Sequence, residues 1–214
     1  MPSLVFNSTN LNVLNRTLDL TTGTFYGHLV AQVPAQGNTT VANLGLVSGG
    51  TYAPQPLVNS TTTAIAADGA GARRTFDNPT WAGLTTSNNA LTVKGMVAAR
   101  QAGANPSATD PIISYIELAT TVTTTAAVSP GATSIPIQAL AGAGTIPSGT
   151  SFTLGGVTVT TTAPATVGAT SLSVSAVSGA IPPNSSNPAV PYYYNPNGAD
   201  LTIQIPTTGI LKFG

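Results

Sequence analysis

GATSIPIQALAGAGTIPSG, Gly131 to Gly149, is followed by GATSLSVSAVSGAIPPNS, Gly168 to Ser185, and the match between them decides how the chain is read. Each copy opens Gly-Ala-Thr-Ser and continues into alternating apolar residues, Ile135 and Ile137 in the first, Leu172 and Val174 in the second. Each then reaches a Gly-Ala pair and Ile-Pro. Alternation of this kind places the apolar residues on one face of a strand. Between the copies, Phe152 and Leu154 lead into Gly155-Gly156, and Val157 and Val159 lead out. Two glycines between alternating runs signal a two-residue hairpin, because both can take positive φ. No charged residue occurs between Glu117 and Asp200. That composition alone would suit a Thr/Ala/Gly-rich linker, but a linker has no need of an internal repeat. Residues 124–186 are therefore expected to form an inserted, small β-barrel-like module of two related halves, near the lower size limit for an independent core.

The flanks read differently. Leu11, Leu14 and Leu18 follow a helical spacing after Asn7, Ser8 and Thr9, which predicts a short N-terminal helix over Asn7 to Leu18. From Phe25 the period becomes two, with Phe25, Gly27, Leu29 and Ala31 on one face and Tyr26, His28, Val30 and Gln32 on the other. A helical turn is expected within Thr40 to Leu46, and an edge strand over Gln55 to Ala67 beside Pro54 and Pro56. Asp68 to Gly71 reads as a turn, Arg73 to Phe76 as extended, and Ala90 to Arg100 as a strand. Ile112 to Leu118 is an apolar run after Asp110-Pro111, the pattern of a strand buried on both faces. Leu201, Ile203 and Ile205 alternate as a last strand. The expected architecture is mainly β: a β-sandwich-like core domain of residues 1–123 plus 187–214, interrupted by the module.

Composition narrows function. The 214 residues include six Lys+Arg, six Asp+Glu, one His and no Cys, so 6% are charged and the formal net charge is +0. A typical soluble domain is about 25% charged. So few basic residues give no footprint for phosphate backbones or anionic lipid, so neither nucleic acid nor membrane is an expected partner. The absence of Cys removes disulfides, thiolate metal sites and a thiol nucleophile. MPSLVFNSTN has neither the basic nor the apolar region of a signal peptide, so synthesis in a cytosol is expected. Small soluble domains usually rely on net charge to stay apart. Its scarcity here points to a subunit whose surface is largely occupied by partners.

Candidate chemistry is sparse. A Ser-His-Asp triad would have to use His28, and there is no Gly-x-Ser-x-Gly elbow; the alternative is a surface or interface histidine. Asp19, Asp68, Asp77, Asp110, Glu117 and Asp200 are scattered, without the spacing of an acid/base pair or a metal site. No catalytic, cofactor-binding or metal residue is assigned. Two clusters are candidate interface residues. Arg73-Arg74 is either a solvated strand end or an ion-pairing site for a neighbouring subunit. Tyr192-Tyr193-Tyr194, beside Pro191 and Pro196, is either a contact surface or internal packing.

The serial order of several segments resembles small virion structural proteins of tailed bacteriophages: Leu18-Asp19-Leu20, Thr24 to Val30, Gly50-Thr51-Tyr52, Phe76-Asp77 with Thr80-Trp81, Val93 to Ala99, Ile112 to Glu117, Leu201 to Ile205 and Gly209-Ile210-Leu211. The likeness spans most of residues 14–118 and 199–213, and the uncharged insert is similar to short β modules that recur in phage capsid and tail proteins. The resemblance implies a non-enzymatic capsid decoration (cement) protein without cofactors. Such a protein is assembled into the virion in the bacterial host cytoplasm and bound to the major capsid protein as a homo-oligomer, with a trimer suspected. A tail, baseplate or fibre-base component contacting the host surface is the alternative.

Overall fold

The computed structural model describes residues 3–7, 9, 23–58, 65–68, 71–86, 92–141, 144–194, 196, 198–203, 205 and 211–213. The chain is mainly β, in several sheets. Eight strands precede the insert: β1 (Ser3–Val5), β2 (Phe25–Val30), β3 (Gln55–Pro56), β4 (Ile65–Asp68), β5 (Gly71–Arg74), β6 (Thr80–Trp81), β7 (Gly95–Arg100) and β8 (Ile112–Glu117). The next nine are β9 (Ala119–Thr123), β10 (Ser134–Pro136), β11 (Gly144–Ile146), β12 (Ser151–Leu154), β13 (Val157–Thr160), β14 (Ala165–Thr166), β15 (Ser171–Ser173), β16 (Ser186–Pro191) and β17 (Tyr193–Tyr194). Two follow, β18 (Leu201–Thr202) and β19 (Leu211–Phe213). The chain divides into two compact units, Leu118–Asn195 and Pro2–Glu117 with Pro196–Gly214. These boundaries lie outside the expected 124–186, because β9 and β16 pair with each other and belong to the insert.

The flanking unit is built on a five-stranded antiparallel sheet in the order β1-β8-β7-β2-β3. One face of its central strands packs Val30, Val97, Ala99, Ile112 and Tyr115 with Phe6 and Val41. On the other, Phe25, Leu29, Met96, Ala98 and Ile116 are buried, with Phe25 against Phe76 at 5.5 Å between ring centroids. Both faces being covered explains why Ile112 to Glu117 reads as an unbroken apolar run. The expected strand over Gln55 to Ala67 is corrected. Gln55–Pro56 extends the main sheet while Ile65–Asp68 joins a separate one in the order β19-β5-β4. The contact with β2 ends at Leu57, whose N–H donates to Phe25 O (2.8 Å), after which Val58 O accepts from Asp77 N–H (3.0 Å) instead. The last strand is also shorter than expected: β18 pairs with β6, after which Ile203 N–H donates to Pro79 O (3.1 Å) and Ile205 N–H to Asn78 Oδ1 (2.8 Å). A 3-10 turn forms at Val41–Asn43, within the expected segment. Of the expected N-terminal helix, residues 8 and 10–18 lie outside the described residues.

The insert shows what the sequence repeat builds. Its halves are related by a pseudo-two-fold, on which β10 and β15 pair antiparallel with Ile135 opposite its own counterpart Leu172. The hydrogen bonds come in matching pairs. Val174 N–H donates to Thr133 O and Ile137 N–H to Thr170 O, both at 2.9 Å; Gly131 N–H donates to Val177 O and Gly168 N–H to Leu140 O, both at 2.8 Å. Thr124 N–H donates to Ser185 O (2.9 Å) as Thr161 N–H donates to Thr150 O (3.0 Å). The β12–β13 hairpin turns at Gly155-Gly156, both with positive φ (55° and 84°). Its counterpart is β9 with β16, which joins the two ends of the unit. Even the side-chain bonds repeat: Thr160 Oγ1 to Ser151 Oγ is 2.7 Å and Thr123 Oγ1 to Ser186 Oγ is 3.0 Å. The core is likewise paired, Val122 with Val159, Ile137 with Val174, and Ile146 with Ile181.

Candidate functional site

His28 stands in the middle of β2, opposite Val97, which is itself opposite Tyr115. Its side chain therefore points to the same face as Val30, Val97 and Tyr115. The expectation of a surface or interface histidine is corrected: the residue is 3% exposed, because the 41–46 segment lies over that face of β2. Among the described residues neither imidazole nitrogen has a hydrogen-bond partner.

The chain around it explains why a cleft opens there. β3 pairs with β2 only at Tyr26 and Gly27. Beyond it, Leu29 N–H donates to the Tyr52 hydroxyl (3.1 Å), while Leu29 O accepts from Val47 N–H (3.0 Å) and Gly45 O accepts from Ala31 N–H (2.7 Å). A tyrosine and an irregular segment thus stand in for the missing strand. The 3-10 turn is tied down by Val41 N–H to Asp110 O (3.1 Å) and Ala42 N–H to Ala108 O (2.8 Å). The fully buried Asp110 carboxylate shapes the loop before β8, accepting Ala102 N–H (2.9 Å) and Ser107 N–H (2.8 Å). These segments border an open cleft of about 310 Å³ lined by His28, Tyr52 and Ser107 together with Val41, Leu44 and Leu46.

Burial holds the cleft uncharged. It lowers the pKa of His28, outweighing the nearby negative charge of Asp110, which acts to raise it. It also pushes the Tyr52 phenol up to about 12, against the opposing effect of the Leu29 hydrogen bond. At neutral pH the imidazole is thus a donor at one nitrogen and an acceptor at the other, and Tyr52 keeps its proton.

The other candidate residues fall elsewhere. Arg73 and Arg74 lie on β5, the middle strand of its sheet, with backbones opposite Ala66 and Lys212, and Ile65 and Leu211, respectively. Tyr192 is buried in the core of the insert, where its hydroxyl accepts from Gly144 N–H. Tyr194 is buried and Tyr193 half-buried, so the tyrosine run is largely internal. Gly144 has to be glycine at that point, since a Cβ would lie 2.2 Å from Tyr193 O. Among the carboxylates, Asp200 accepts Gly83 N–H (2.8 Å) and Asp110 serves its own loop. Asp19 lies outside the described residues. Among the described residues no three of His, Cys, Asp and Glu come together as metal ligands, and no helix is long and apolar enough to cross a membrane. Sequence reading missed Tyr52 as a partner of the His28 cleft. Its only signal was that His28 shares an alternating face with Val30. Comparison with protein-family models, curated proteins and solved structures found no match.

Proposed function

We propose that the chain is a non-enzymatic structural component of a tailed-phage virion, a decoration protein that binds and stabilises the outside of the capsid. In this reading the flanking unit is a β-sandwich-like core, the insert is a barrel-like module, and the major capsid protein is the partner of a homo-oligomer, a trimer. The observation that carries it is the uncharged insert, a compact unit of paired halves whose first and last long strands, β9 and β16, lie side by side. Adjacent termini let such a module be placed in a loop of a host domain without unravelling it. Its polar surface is Ser and Thr, as in the Ser151–Thr160 and Thr123–Ser186 pairs. It can meet a crowded lattice through hydrogen bonds and apolar contact, without charge repulsion.

The mechanism is linkage. A protein that binds only the assembled lattice stabilises it by mass action, and attachment at several points multiplies modest single contacts. Purified protein added to undecorated capsids should co-sediment with them and raise their disruption temperature. Failure to bind intact shells would remove the proposal.

A further inference from the structure

We infer that the open backbone edge at residues 178–180 of the insert is a strand-addition site, taking a short, extended, uncharged segment of a partner protein. The inference rests on the symmetry of the insert and not on the virion reading.

The symmetry breaks at one place, and the break points to a partner. Gly168 N–H to Leu140 O and Gly131 N–H to Val177 O make Leu140 and Val177 counterparts. The antiparallel pairs Ile146 with Ala165 and Ile181 with Val128 do the same for Ile146 and Ile181. Gly144-Thr145 in the first half therefore corresponds to Gly179-Ala180 in the second. In the first half this strand, β11, has a neighbour on each side: β14 on one, and β17 on the other, with Thr145 opposite Tyr193 and Gly144 opposite Tyr194. The β17 neighbour has no counterpart. Where β16 runs on through Pro191 and Tyr192 into β17, the equivalent β12 turns back at Gly155-Gly156, so the second half has no segment to lay along Gly179-Ala180.

Three observations mark the edge as open. Among the described residues, the backbone groups of Ser178, Gly179 and Ala180 take part in no hydrogen bond. Ser178 and Ala180 are exposed and Gly179 is half-buried. A Cβ on Gly144 would collide with the Tyr193 backbone, whereas one on Gly179 would meet only a Val157 methyl, at 3.1 Å. The direction of the edge follows from its neighbour. Ile181 uses both its N–H and its C=O on Val128, each at 2.9 Å, and in an extended chain adjacent residues point these groups to opposite sides. The N–H and C=O of Ala180 thus face away from Val128, toward the side that β17 occupies in the first half. Such an edge is a template for another strand, and main-chain bonds supply the affinity of such additions. The insert has no charged residue, so a charged segment would lose hydration there without a counter-charge. The occupant comes from another protein, since this chain's own fitting segment, Tyr193–Tyr194, is already used on β11.

The filled edge supplies the probe: acetyl-Pro-Tyr-Tyr-Tyr-Asn-amide, the sequence of residues 191–195. Added to the isotopically labelled full-length protein, it should shift the amide NMR signals of Ser178, Gly179 and Ala180 saturably at millimolar concentration and leave those of Gly144 and Thr145 in place. N-methylation of its second tyrosine, the equivalent of Tyr193, should weaken binding at least about threefold, the loss of one main-chain hydrogen bond. Ala180→Pro, which removes an N–H that the fold itself does not bond, should weaken it to the same extent. Absence of a shift at residues 178–180, shifts confined to Gly144 and Thr145, or equal binding of the N-methylated peptide overturns the inference in the wild-type protein alone, whether or not the variant folds. Self-association that shifts the same three signals without peptide also overturns it, because the occupant would then be a second copy.

Discussion

At the residue scale, His28 couples the fold to pH. Its pKa is lowered in the folded state by burial, so below its ordinary value of 6.5 the unfolded chain takes up a proton that the folded chain resists. Stability contributed by this residue is therefore complete above that value and declines as pH falls below it. Glu117 has the opposite sign, because burial raises its pKa and the fold favours its protonated form. The His28 contribution is isolated by difference: urea unfolding of wild type and His28→Leu should show the wild type losing more stability between pH 7 and pH 5. Parallel pH profiles would refute this. A second residue-scale effect lies at the two corners of the insert, where Gly149 (φ 80°) and Asn184 (φ 60°) hold equivalent left-handed positions. Asn184→Gly should be tolerated or mildly stabilising and Asn184→Ala should cost about 1 kcal/mol, measured by thermal unfolding.

At the element scale, the insert is a two-fold assembly written in one chain. Thr124 and Thr161 are its buried counterparts. Thr124 Oγ1 donates to Pro182 O (3.0 Å) and accepts Ser185 N–H (2.9 Å); Thr161 Oγ1 donates to Pro147 O (2.7 Å) and accepts Thr150 N–H (3.0 Å). Replacing either by Val leaves the Ser185 or Thr150 N–H unmatched, while Pro182 O and Pro147 O keep their bonds from Ser185 Oγ and Thr150 Oγ1 (both 2.8 Å), so each should cost about 1–3 kcal/mol, and by similar amounts. Because every ladder between β9 and β16, β10 and β15, and β12 and β13 joins one half to the other, neither half is complete alone. Fragments 118–155 and 156–195, separated at the Gly155-Gly156 turn, should be largely unstructured singly and recover β-sheet circular dichroism on mixing.

The repeat, the alternation of Ile135 and Ile137, and the hairpin glycines are local signals, and the strands stand where they put them. The pairing of halves is not local: nothing in Gly131 to Gly149 states that Ile135 faces Leu172 rather than a strand of its own copy. The same limit explains the misreadings at Gln55 to Ala67 and at His28. Gln55 to Ala67 has a strand-like composition, but partners in different sheets divide it. His28 reads as a polar position on an alternating face, yet neighbouring strands and the 41–46 segment cover it. Which loop lies over a strand is a tertiary fact, and the cleft is made entirely of such facts.

At the scale of the whole molecule, the scarcity of charge resolves into two parts. Every charged residue lies in the flanking unit, and the insert has none. Each unit has its own buried core, in the flanking unit around Val97 and Tyr115 and in the insert around Ile135 and Leu172. Unfolding should accordingly depart from a single two-state transition. Residues 118–195 expressed alone should fold, seen as dispersed amide NMR signals and a cooperative melt; a collapsed, non-cooperative species would contradict the independence of the module.

The decoration proposal is most directly tested on the particle. Purified shells lacking this protein are incubated with it, imaged by electron cryo-microscopy, and heated beside untreated shells. The account predicts repeated density over the lattice of the outer surface, with high copy number, and a raised temperature of shell disruption. Density confined to the tail or its vertex, or shells that remain bare and melt unchanged, would contradict it.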